Sequence, residues 1–349
     1  MRWLAALLLV AVPSFGQDMR SQESITVERI IVDARVTDAA GDPITGLTAA
    51  DFKVKIDGKL SRIESLEWIP ENAAARELAE VEKAPAEVNT GMDIPPPQGR
   101  LLVFFIQTDF SRVAMRAGGQ MKAMAVIDDL LDGLDEDDRV AVVSFDSHLK
   151  FRLDFTSDKR QIKDAMEASM LIDEPPRPPV VPMPSIARRL DPEAMKKASS
   201  DEKALLIVAN ALNPIPGPKS LILLGWGLGR YTSQGVRMTP DYGPARIALE
   251  SARVSVFSLD ITLADSHTLS AGLGKVAGDT GGFYASMNTF PQIALDRLKR
   301  TLAGHYELEV RKPETSVKGY HSIEVTTIKR GAVVMARTSY VDRNDSPLQ

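Results

Sequence analysis

The chain has 349 residues, 44% of them hydrophobic and 26% charged, with a formal net charge of −5. That profile fits a globular protein of two or three domains, at roughly 150 residues each, and the acidic balance with scattered basic residues argues against a nucleic-acid binder. The absence of cysteine excludes a catalytic thiol, a thiolate metal site and disulfides, so the core alone must hold the fold.

Residues 1–16, MRWLAALLLVAVPSFG, read as a signal peptide. Arg2 supplies the positive start, residues 4–12 an apolar core, Pro13 a break, and Ser14 and Gly16 the small residues before cleavage at Gln17. The nine residues of that core fall short of the about 20 needed to cross a bilayer. The expectation is a periplasmic or secreted protein with no membrane span after cleavage.

Residues 17–69 form an N-terminal β unit. Apolar and polar residues alternate at 26–37, 52–56 and 61–68, the period of half-buried strands. Ala40-Gly41-Asp42-Pro43 and Asp57-Gly58 supply turns, the latter a strong hairpin signal. Residues 70–98, rich in Ala, Glu and Pro and ending in Ile94-Pro95-Pro96-Pro97, read as a solvated linker with room for one short helix.

From 99 to 303 strand and helix patterns alternate. Strands are predicted at 100–107, 139–146, 150–155 (an edge), 219–224, 254–260 and 282–285. Helices are predicted at 112–133, 158–171, 201–212, 241–252, 266–278 and 289–303, the second capped by Thr156-Ser157-Asp158. The run PPRPPVVPMP at 175–184 forms neither helix nor central strand and is a surface loop. Period-2 strands return at 305–311, 321–327 and 333–341 in a C-terminal β unit, 304–343, with turns at Lys318-Gly319 and Arg330-Gly331; residues 344–349 are a tail. The fold class is α/β: a doubly wound, mainly parallel, Rossmann-like sheet. Its flanking β segments, too short to stand alone, pair into one small β-sandwich-like domain into which the α/β domain is inserted.

The strand at 100–107 is apolar from Leu101 to Ile106 and ends in the polar cluster Gln107, Thr108, Asp109 and Ser111, at the strand end where open α/β sheets place ligands. The runs GRLLVFFIQTDFSRVAM and DEDDRVAVVSFDSHLKFRLDFTSDKRQI resemble the first half of a von Willebrand factor A (VWFA) domain. More narrowly, the mature chain resembles the "VWFA-related" exported proteins common in acidobacteria. VTDAAGDPITGLTAADFKVKIDGK, GPKSLILLGWGLG, VAGDTGGFYA, LAGHYELEV and YHSIEVTTIKRGAVVMARTSYV carry that resemblance over about residues 25–341.

The resemblance implies a metal-ion-dependent adhesion site: Asp-x-Ser-x-Ser after the first strand, a Thr from a later loop, and an Asp after the fourth strand, around Mg²⁺ and its oxygen ligands. Here the first Asp falls on Gln107, the first Ser on Asp109, and the late Asp on Trp226; Ser111 alone keeps its type. The Thr loop gives way to the proline-rich run. The site is therefore degenerate, with Asp109 and Ser111 its remaining metal ligands. No resident cofactor is expected, Mg²⁺ being the ion such a site would take. Asp109 and Ser111 fit better as caps of the following helix, accepting its free N–H groups.

These features together point to an exported, non-enzymatic protein-binding (adhesion or interaction) module with an unidentified protein partner and no nucleic-acid partner. Its binding positions are Gln107, Asp109, Ser111 and Trp226, and its partner face adds Phe110, Arg112 and Arg230. The alternatives are a structural assembly component of the cell envelope, or a metal-assisted hydrolase using Asp109, Asp260 and Asp265.

Other constellations read as structure. Gly225-x-Gly227-x-Gly229 lacks the further glycine of a dinucleotide loop, having Arg230 there, and suits a tight turn. His148, His267, His305 and His321 show no metal-ligand spacing. Asp146-Ser147-His148 suits a hairpin turn, and the acidic run 135–138 a solvated loop.

Overall fold

The computed structural model describes residues 28–76, 99–108, 118–119, 121, 123–171, 184–264, 266–313 and 318–342. The expected signal peptide, most of the linker, Asp109, Phe110, Ser111, Arg112, nearly all of the proline-rich run, Asp265 and the tail lie outside the described residues.

The first strands are β1 (Arg29–Thr37), β2 (Phe52–Ile56), β3 (Lys59–Ser61) and β4 (Ile63–Pro70). The α/β segment begins with β5 (Leu101–Gln107), α1 (Ile127–Asp132), β6 (Arg139–Phe145), β7 (Leu149–Thr156), α2 (Lys159–Leu171), α3 (Pro192–Lys196), α4 (Asp201–Leu212), β8 (Lys219–Gly225), β9 (Arg230–Thr232) and β10 (Gly235–Arg237). It continues through α5 (Tyr242–Ser251), β11 (Val254–Asp260), α6 (Ser270–Asp279), β12 (Tyr284–Ser286) and α7 (Pro291–Thr301). The chain closes with β13 (Gly304–Arg311), β14 (Tyr320–Thr327), β15 (Val333–Ala336) and β16 (Ser339–Val341).

The large sheet has the order β12-β11-β8-β5-β6-β7, parallel except for the edge strand β7, which pairs antiparallel with β6. All seven residues of β5 are buried, because each face of the sheet carries helices. Leu101, Val103 and Phe105 join α4, α5 and α6 in one apolar cluster. Leu102, Phe104 and Ile106 join α1, α2 and α7 in another. This is why the strand reads as an unbroken apolar run.

Residues from both ends of the chain build two four-stranded sheets, β15-β1-β13-β4 and β16-β14-β2-β3. Val32, Val54, Ile56, Leu308, Val310 and Ile323 from these sheets share a third cluster. Asp57 and Gly58 take φ of 51° and 75°, the paired positive values of a type I′ turn, and fold β2 onto β3.

Two predicted strands each divide in two. The run at 61–68 changes sheets at Arg62, β3 pairing with β2 and β4 with β13. The run at 333–341 breaks at Arg337 and Thr338, where the Thr338 N–H leaves the sheets and donates to the Asp279 carbonyl at 3.0 Å. The helix predicted at 266–278 begins only at Ser270. The acidic run is not wholly solvated: Asp138 is buried, accepting from the Arg100 backbone N–H at 2.9 Å and pairing with its guanidinium.

No helix among the described residues is long and apolar enough to cross a membrane.

Candidate functional site

In a doubly wound sheet the crevice for a ligand opens where strand order reverses, at the carboxyl ends of the two strands flanking the switch. Here those strands are β5 and β8. The last residue of β5 is Gln107, and its side chain spans the gap. Its Oε1 accepts the Trp226 N–H at 2.7 Å and the Gly227 N–H at 3.3 Å, while its Nε2 donates to the Gly227 carbonyl at 2.8 Å. Both ends of one carboxamide are therefore bonded to the turn after β8. An aspartate could neither donate to that carbonyl nor reach as far. Gly227 and Gly229 have φ of 154° and 81°, so the glycine triplet makes the tight turn that brings this backbone to the amide.

Mg²⁺ asks for about six oxygens near octahedral geometry. Gln107 offers one oxygen that already accepts two N–H groups. Trp226, where the late carboxylate would stand, is buried with 6% of its surface exposed and packs in the cluster with Leu224 and Met287. The described residues at these positions do not fit a hydrated Mg²⁺. Trp226 is a core residue rather than a surface anchor.

The end of β11 is closed in a similar way. The Asp260 carboxylate is fully buried. One oxygen accepts the Thr262 N–H at 3.0 Å and its hydroxyl at 2.6 Å; the other takes His267 Nε2 at 2.7 Å and the Tyr284 hydroxyl at 2.9 Å. A carboxylate has about four acceptor positions, and all are used. Asp260 thus pins Thr262 and His267 to Tyr284 of β12, ahead of the start of α6. Burial, and then the Asp260 charge, push the Tyr284 phenol well above its ordinary range. Asp265 and Asp109, the other carboxylates of the hydrolase alternative, lie outside the described residues.

A buried ion network joins the β unit to the large sheet. Arg35 of β1, 2% exposed, donates to Glu71 at 3.0 and 3.1 Å and reaches Ser255 Oγ at 3.2 Å. His305 stands 3.0 Å from Glu71 and 3.3 Å from Asp33, and Arg253 bonds Asp33 and Glu307. Burial opposes charge on His305, but Glu71 and Asp33 outweigh it and lift the imidazole to about 9. Burial likewise opposes ionisation of Glu71, yet Arg35 and His305 bring it down to about 2. Asp33, His305 and Glu307 converge closely enough to suggest a metal site, but the Arg253 guanidinium already supplies its cation.

The segments after β5, β8, β11 and β12 share a different feature. Tyr231 after β8 is 70% exposed, Leu263 after β11 44%, and Phe290 after β12 66%. Met121, in the helical stretch after β5, is 73% exposed, and its neighbour Gly118 lies against Leu263. Arg230 is exposed; Phe110 and Arg112 lie outside the described residues. The sequence reading missed Tyr231, Leu263 and Phe290, as well as the β9–β10 hairpin. The alternation Arg-Tyr-Thr before Ser-Gln-Gly was the available signal.

No protein-family model and no curated protein matches the chain. Among solved structures it is similar to a von Willebrand factor type A protein from Catenulispora acidiphila, at 9% identity over 92% of this chain and 76% of that one, with a TM-score of 0.42. It is also similar to the conserved hypothetical protein BatB from Bacteroides thetaiotaomicron, at 16% identity over 58% and 97% of the two chains and a TM-score of 0.40. The type V pili tip protein Mfa5 from Porphyromonas gingivalis gives 10% identity over 90% and 66%, with a TM-score of 0.39.

Proposed function

We propose that this protein is an exported, non-enzymatic interaction module of the von Willebrand factor A type, whose metal-ion-dependent adhesion site has been replaced by an amide clamp. The strand order supports the domain type, and the N-terminal pattern of residues 1–16 supports export. The two four-stranded sheets, read as one β-sandwich, brace the module from both chain ends. The partner is a protein, met in the periplasm or outside the cell.

One observation carries the reading. Each of the loops or helical stretches following β5, β8, β11 and β12 places a large apolar residue in solvent, namely Met121, Tyr231, Leu263 and Phe290. Single exposed apolar residues are ordinary; their recurrence along the ligand-bearing edge of the sheet marks that edge as a contact face. Gln107 and Asp260 hold the backbone beneath it, so recognition needs no ion.

A photo-crosslinking residue at Tyr231, Leu263 or Phe290, expressed in the native cell envelope, is expected to give discrete protein adducts. The same residue at Leu60, exposed on the β unit, serves as the control. Adducts absent from the strand-end positions, or identical from all four, would contradict the reading.

A further inference from the structure

The β9–β10 hairpin forces two arginines together. The register pairs Arg230 directly with Arg237 and Tyr231 with Val236, closed by the two-residue loop Ser233-Gln234. Thr232 fixes that loop, its hydroxyl donating to the Gly235 carbonyl at 2.9 Å and accepting the Gln234 N–H at 3.3 Å. The two arginines are therefore cross-strand neighbours on one side of the ribbon, and both are exposed. Like charges directly opposite each other in a ribbon destabilise it. Among the described residues neither arginine has a carboxylate partner; Asp241, the next acidic residue in sequence after Arg237, pairs with Lys203 at 3.6 Å. The hairpin is also joined to no third strand among the described residues.

We infer that the Arg230–Arg237 pair binds an acidic polypeptide segment of the partner, its carboxylates bridging the two guanidiniums. This rests on the interaction-module reading. Three features fit an acidic polypeptide segment. Tyr231, 70% exposed, offers an aromatic surface on the other side of the ribbon, and tyrosine and arginine together dominate protein–protein hot spots. The open edges of a two-stranded ribbon accept an added strand. Finally, guanidiniums match carboxylates in bidentate geometry. On a chain with a net charge of −5, a basic pair with no carboxylate partner among the described residues also steers an acidic partner to the contact face.

The test is fluorescence anisotropy of a labelled deca-glutamate peptide, with deca-glutamine as the neutral probe and inorganic phosphate as competitor, using the mature chain. The parent protein is expected to bind the acidic peptide and not the neutral one, weakening as NaCl rises from about 50 to about 300 mM. Arg230→Glu with Arg237→Glu is expected to weaken binding at least about tenfold, and the double lysine variant by only a few fold. Equal binding of the two peptides, unchanged binding by the charge-reversed protein, or full displacement by millimolar phosphate would each overturn the inference. So would sedimentation showing that the arginine pair instead joins two copies of this chain. Crosslinks from Leu263 and Phe290 that persist in the charge-reversed protein would leave the module standing while removing the acidic partner; no crosslinks from the parent protein would remove the module itself.

Discussion

A Cβ on Gly225 would stand 2.2 Å from the Oε1 of Gln107. The last residue of β8 is a glycine because the clamp from β5 passes over it. Gly225→Ala is expected to push the carboxamide off the Trp226 and Gly227 backbone and to destabilise the protein by about 2 kcal/mol. Gln107→Leu leaves two N–H groups and a carbonyl unpaired in a buried site, at a cost of about 2–4 kcal/mol. Urea unfolding midpoints measure both. A Gln107→Leu protein as stable as the parent would mean that the clamp does not hold the strand ends.

Asp260→Ala removes the acceptor for Thr262, His267 and Tyr284 together. Loss of about 3 kcal/mol is expected, with the 261–269 loop the first segment to gain amide hydrogen exchange. Exchange that rises equally across β5 and β8 would contradict a local role.

Glu71→Gln strips the carboxylate that faces Arg35 and His305. The expected loss is about 3–5 kcal/mol, since two buried cations lose their counter-charge. His305 and Glu71 respond to pH in opposite directions. His305, raised to about 9 from 6.5, stabilises fully below pH 6.5 and loses that contribution as pH rises through 9. Glu71, lowered to about 2 from 4.5, stabilises fully above pH 4.5 and loses it as pH falls through 2. Both contributions are complete between pH 4.5 and 6.5. NMR titration of His305 is expected to move down in the variant; an imidazole still titrating near 9 would show that Glu71 is not its principal partner.

Glu250 behaves in the opposite sense to Glu71. It is 2% exposed where α5 meets β16, with the Ser339 hydroxyl 2.6 and 2.7 Å from its oxygens, and burial raises it to about 7 from 4.5. The Ser339 hydroxyl, then Arg246 and Arg337, moderate that rise, and Asp279 adds to it. A raised carboxyl stabilises fully below pH 4.5 and loses that contribution as pH climbs through 7. Glu250→Gln is expected to flatten the stability profile across that interval and to gain about 1–3 kcal/mol above it. A variant that keeps the parent's slope would assign the pH dependence elsewhere.

The sheet was legible because its central strands are buried on both faces. Val254–Asp260 and the helix Asp201–Leu212 stand where the apolar pattern put them. What escaped the pattern was decided by tertiary partners. Glu71 sits in an Ala-, Glu- and Pro-rich stretch and reads as solvated, yet Arg35 and His305, distant in sequence, draw it inside. Trp226 reads as a surface aromatic at a ligand site, but the turn that bonds Gln107 tucks its indole into the core. The substitution of Gln107 for a carboxylate was visible; that both ends of its amide would be taken by one turn was not, because backbone hydrogen bonds leave no trace in residue type.

Whether an amide has replaced the ion is decided by calorimetric titration of Mg²⁺ into the mature protein, freed of metal beforehand. Only heats of dilution are expected, in the parent and in Gln107→Leu alike. A saturable isotherm in the parent that disappears in Gln107→Leu would place the ion on the clamp residue and contradict the replacement.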